Sequence, residues 1–127
     1  VSIFNYEESS YYTGKEKVKG VLRHLPGNVD VVSKDVDGAY AKEGSSFFHA
    51  SALPVSVIDT IGAGDCFSGA FAHYYCGSKN SVSEALAKAV VVAGFKIAQK
   101  GSRLSSTAAQ TAAYVKKNKP KVKLSRV

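Results

Sequence analysis

The chain has 127 residues, 45% of them hydrophobic and 21% charged, with a formal net charge of +7. That length supports one domain burying roughly two-thirds of the surface its unfolded chain would expose. No apolar run approaches the roughly 20 residues needed to span a bilayer, so a membrane protein is not expected.

The first residues, VSIF, read as a short buried strand leading into NYEESSYYTG, where Asn5 can open a turn and Gly14 can close the short helical stretch. They carry no charged leader with an apolar core. With no methionine anywhere in the sequence, the expectation is a piece of a longer chain or a processed product. KEKVKGVLRHL then places Val18, Val21, Leu22 and Leu25 at helical spacing before PGN breaks it. VDVVS is the next strand and KDVDG a turn. The segments AYAKE, FFHAS and VSVI look like strands joined by hairpin connections, a small antiparallel insertion between residues 38 and 58.

DTIGAGDCFSGAF, from Asp59 to Phe71, packs glycines and an alanine between two aspartates just ahead of an apolar run. Glycines let backbone N–H groups approach a ligand unobstructed, and the apolar periodicity makes this loop the mouth of a helix from Cys66 to Cys76 that ends at Gly77. Ser81 and Glu84 are placed as a capping box for a long helix with Leu86, Val90, Ala93 and Ile97 on one face and Gly101 as its stop. A further helix is expected from about Thr107 to Lys117. Strands alternating with helices favour an α/β layer architecture.

Cys66 and Cys76, ten residues apart on one helix, would stand about 15 Å apart, too far to bridge. Free thiols favour a reducing, cytoplasmic compartment. The six basic residues within 116–127 include no acidic neighbour, and taking them from +7 leaves +1. The body is therefore nearly neutral. The expectation is a solvated basic tail, with a contact to an acidic partner as the alternative and nucleic acid unlikely as a ligand.

The stretch Asp59 to Asp65 resembles the C-terminal signature of the ribokinase-like (PfkB) carbohydrate kinases, Asp-Thr-x-Gly-Ala-Gly-Asp, at every specified position. Other segments follow in the family's order. Asn5 and Glu8 resemble its Asn-x-x-Glu motif, which helps organise magnesium, although the same spacing also suits a helix cap. SKDVDG resembles its Thr-x-Gly-x-x-Gly nucleotide turn through Ser33 and Gly38, but has Asp35 where the first glycine belongs. A carboxylate there would repel phosphates unless it points away, while aspartate tolerates the left-handed backbone the turn needs. AQKGSRLS matches the stretch where members bind a monovalent cation such as potassium, here implying Asp59, Gly101 and Ser105; a plain helix cap at Gly101 is the other reading.

The resemblance implies the C-terminal portion of a ribokinase-like three-layer α/β/α fold over residues 1–115, followed by the basic tail 116–127. It implies ATP and magnesium as cofactors and a sugar or sugar-derivative hydroxyl as acceptor. Asp65 would be the catalytic base, and the amides of Gly62, Ala63 and Gly64 an anion hole at the positive end of the helix. A dinucleotide GxGxxG fails at Phe67 and an esterase GxSxG fails at Cys66. The family's N-terminal half is missing from this stretch, so a partner half or self-association is expected. Two readings remain: the nucleotide-side part of a sugar kinase, or a non-catalytic truncated pseudokinase that binds a partner.

Overall fold

The computed structural model describes residues 1–101 and 104–127. The chain opens with β1 (Ser2–Asn5), α1 (Tyr6–Thr13), α2 (Val18–His24) and β2 (Val29–Ser33), and continues through a 3-10 turn (Asp35–Asp37) into β3 (Ala39–Glu43) and β4 (Ser46–Ala50). After a long connection come α3 (Ala63–Ala72), a π-helical turn (His73–Gly77), α4 (Val82–Ile97), α5 (Ala108–Asn118) and β5 (Leu124–Arg126). The five strands form one sheet in the order β1-β2-β3-β4-β5; β1 and β2 run parallel and the other pairs antiparallel.

Local chemistry sets most of the boundaries. Asn5 accepts the Glu8 N–H at the start of α1, and Gly14 closes that helix in the left-handed conformation. Thr107 and Gln110 form a reciprocal capping box on α5. Ser81 caps α4 by accepting the Glu84 N–H, but Glu84 turns its carboxylate to Lys119 at 2.9 Å instead of closing the box expected there. The helix stops at Ile97, so Gly101, expected as its terminus, lies in the loop beyond with φ 102°.

The strands alternate faces as their two-residue period requires. Val29 and Val31 of β2, with Ala39 and Ala41 of β3, pack beneath Phe67, Phe71, Leu86 and Val91 of α3 and α4 in the larger core. Val32 turns the other way, against Val21, Leu22 and Leu25 of the α2 region. Helices thus cover both faces of the sheet, the three-layer α/β/α arrangement expected. Asp30 and Lys42, directly opposed in the β2–β3 register, form a buried ion pair at 2.9 Å, and the Lys42 ammonium also donates to the Leu25 carbonyl.

Two expectations are corrected. Residues 55–58 form no strand: the N–H groups of Ile58 and Asp59 donate instead to the Ile97 carbonyl at the end of α4. The basic segment is not a free tail: Val122 is buried, Lys119 pairs with Glu84 at 2.9 Å, and β5 pairs with β4 with its side chains exposed. Cys66 and Cys76 are free thiols, as expected.

Candidate active site

The C-terminal ends of the parallel strands β1 and β2 place Asn5 opposite Ser33. In open α/β sheets, ligands gather at such strand ends. Beside Ser33, Asp35 takes φ 40°, the left-handed backbone that aspartate tolerates, and the turn closes with the Gly38 N–H donating to the Asp35 carbonyl. Gly38 has φ 85°, and a Cβ there would lie 2.0 Å from the Ala50 carbonyl oxygen. No other residue fits.

The Asp59–Asp65 loop lies across from this turn. Asp59 accepts the Ile61 N–H at 2.9 Å through Oδ1 and the Gly101 N–H at 3.0 Å through Oδ2. These two donors, Ile61 first, hold its carboxyl below the usual aspartate range, with Lys96 and Lys100 adding to the effect. Gly62, at φ 81°, is the N-cap of α3 and brings no side chain to its amides. A Cβ on Gly64 would meet nothing within 4 Å. The Ala63 N–H donates to the Thr60 carbonyl at 3.2 Å, while Gly64, on the first turn, has no intrahelical acceptor for its amide. Asp65 follows on the same turn and is exposed.

Ser33, Asp35, Gly38, Ala63 and Gly64 share one cleft of about 720 Å³. Its far wall is apolar and was not anticipated from sequence: Leu53, Val55 and Val57 from the long connection face Phe67, Ala93 and Gly94. A Cβ on Gly94 would press on Leu53 at 3.0 Å, so the small pair Ala93-Gly94 was the available signal for close approach. The alternating VSVI, read as a strand, in fact supplies this wall. A smaller adjoining cleft, lined by Asn5, Glu7, Lys34 and Asp37, also shares Ser33 and Asp35.

The remaining expected residues fall as follows. Asn5 and Glu8 are joined to each other, Asn5 Nδ2 donating to Glu8 Oε1 at 2.7 Å. Among the described residues no group of three or more His, Cys, Asp or Glu side chains could hold a metal ion. Asp59 and Gly101 are brought together by a hydrogen bond, whereas Ser105 directs both its N–H and its hydroxyl to Gln99 Oε1.

The three-layer α/β/α fold thus holds a cleft bounded by the Ser33–Gly38 turn and by the glycine-rich mouth of α3. The pfkB family carbohydrate kinase profile matches residues 1–109, and the chain belongs to that family. Over 57 residues, 45% of the chain and 18% of the relative, it is 47% identical to a deoxyribokinase of Salmonella typhi. Its fold is similar to that of the phosphofructokinase-2 of Escherichia coli in complex with potassium, with TM-score 0.77 and 21% identity over 94% of this chain and 40% of that one. It is also similar to the fructokinase of Vibrio cholerae bound to fructose, ADP and calcium, with TM-score 0.74 and 23% identity over 89% of this chain and 40% of that one. The chain spans well under half the length of these relatives.

Proposed function

We propose that this chain is the nucleotide-side part of an ATP-dependent kinase that phosphorylates a hydroxyl of a sugar or sugar derivative. The observation that carries the reading is the position of Asp65, exposed on the first turn of α3 beside the side-chain-poor Gly62–Gly64 helix mouth. Phosphoryl transfer needs the acceptor hydroxyl deprotonated beside a group that stabilises charge on the phosphoryl oxygens. Asp65 accepts the hydroxyl proton, and the amides of Gly62, Ala63 and Gly64 hold the developing charge at the positive end of the helix. The apolar wall at Leu53 and Phe67 takes the base of the nucleotide, and the Ser33–Gly38 turn lies along its phosphates. Magnesium, brought by the nucleotide, neutralises phosphate charge; Asn5 and Glu8 act on it through water, since each already engages the other. The free thiols suit a cytoplasmic setting.

The test is Asp65→Asn in the full-length protein. Turnover should fall roughly 10²- to 10⁴-fold, the usual worth of a general base. ATP affinity should stay within a few-fold, because the carboxylate acts on the acceptor. Comparable turnover in the variant would remove Asp65 from the role. A full-length protein silent with every sugar, yet still binding a protein partner, would favour the pseudokinase reading instead.

A further inference from the structure

Lys96 is 0% exposed, and among the described residues no carboxylate lies within ion-pairing distance of its ammonium. Burying an ammonium is unfavourable unless something compensates for its lost hydration. Here the head group donates to the Asp59 carbonyl oxygen at 3.3 Å. It also lies close enough to the Asp59 carboxylate to help lower its pKa. Lys96 belongs to the last turn of α4, where the negative end of the helix macrodipole favours a cation. On that same turn the Ile97 carbonyl accepts the N–H groups of Ile58 and Asp59, so the Asp59–Gly64 loop is sewn to this end of the helix.

This is the place where a dissociable monovalent cation was expected from Asp59, Gly101 and Ser105. Among the described residues, the Asp59 and Ser105 groups expected to hold one are already engaged. The Asp59 carbonyl faces the Lys96 ammonium, both Asp59 carboxylate oxygens accept backbone N–H groups, and the Ser105 hydroxyl donates to Gln99. A second cation on the Asp59 carbonyl would also be repelled by the ammonium already there.

We propose that the Lys96 ammonium is the resident cation of this site, holding the Asp59–Gly64 loop in the position that a bound potassium ion would otherwise hold. The role assigned to the loop rests on the kinase reading above, but the identity of the cation does not. Lys96 is a positioning residue: it touches neither nucleotide nor acceptor, and acts through Asp59 on the amides that lead to Asp65.

The experiment uses the full-length protein and needs no turnover. Thermal unfolding is followed in potassium chloride and in tetramethylammonium chloride at matched ionic strength, and thallium(I), a potassium stand-in, is titrated by NMR. The wild type should show the same Tm in both salts and no stoichiometric thallium binding. Lys96→Ala should have a lower Tm that potassium, but not tetramethylammonium, raises saturably. Lys96→Met keeps the packing without the charge and should lose hydrogen-exchange protection at the Ile61 and Gly101 amides. Stoichiometric thallium binding or selective potassium stabilisation of the wild type would overturn the proposal. So would unchanged amide protection in Lys96→Met, and if Lys96→Ala does not fold these two results decide. Failure of the kinase reading would appear only in the Asp65→Asn assay.

Discussion

Asp35 stands where a glycine would be the easier choice, at φ 40° and exposed on the wall of the cleft. If the neighbouring turn lies along the nucleotide phosphates, as proposed above, the Asp35 carboxylate opposes them. Asp35→Gly in the full-length protein should therefore tighten Mg-ATP binding by roughly two- to five-fold at low salt, the range of a solvent-exposed charge contact. Raising the salt should shrink that gain; titration calorimetry showing no change at any salt would mean that the side chain faces away from the nucleotide. Asp59 carries a pH dependence of known sign. Its folded pKa lies below the ordinary 3.8, so its hold on the Ile61 and Gly101 amides is fully present above that value and is lost as pH falls through the folded pKa. Hydrogen-exchange protection factors at those two amides should be flat from neutral pH down to about 4 and collapse below it. Collapse already at pH 6 would assign the hold to another group.

Two glycines of the site separate packing from function at the level of the elements. Gly38→Ala puts a methyl group 2.0 Å from the end of β4 in a backbone that side chains rarely adopt. Strain of about 1–3 kcal/mol and overpacking of similar size should lower stability measurably in urea. Gly64→Ala meets nothing within 4 Å and sits in a helical turn, so stability should hold or rise by up to about 1 kcal/mol. On the proposed kinase reading the added methyl crowds the phosphate at this helix mouth, and phosphoryl transfer should fall; unchanged activity would place the phosphate elsewhere. These elements were legible where local chemistry decides them. Asn5, Gly14, Ser81 and Thr107 stand at helix ends, the β3 segment alternates, and the Asp59–Asp65 stretch marks a helix mouth. What stayed hidden depends on distant partners. Glu84 leaves its box for Lys119, VSVI alternates because it walls a cleft, and Lys96 looks like any other lysine until the fold buries it against Asp59.

Across the whole molecule, β1 is an edge strand of the sheet, Val57, Ile58 and Ile61 are exposed, and the chain spans 40% of the kinases it resembles in fold. An open strand edge and exposed apolar side chains each favour association. This chain alone should self-associate in light scattering, and a separately produced N-terminal half should return it to a defined complex with ATP-dependent sugar phosphorylation. A stable monodisperse monomer would refute the open-edge argument. The opposite edge carries its own consequence, a folding order. β2, β3 and β4 form a meander closed by short turns, whereas the hydrogen bonds that attach the β5 region, Ser51 to Lys123 and Ser46 to Arg126, join residues 72 and 80 positions apart. Loop closure over such distances is slow and rewarded late. The meander therefore forms first and β5 docks last. The same strand, three residues long with every side chain exposed, should open early under native conditions and bare the outer edge of β4.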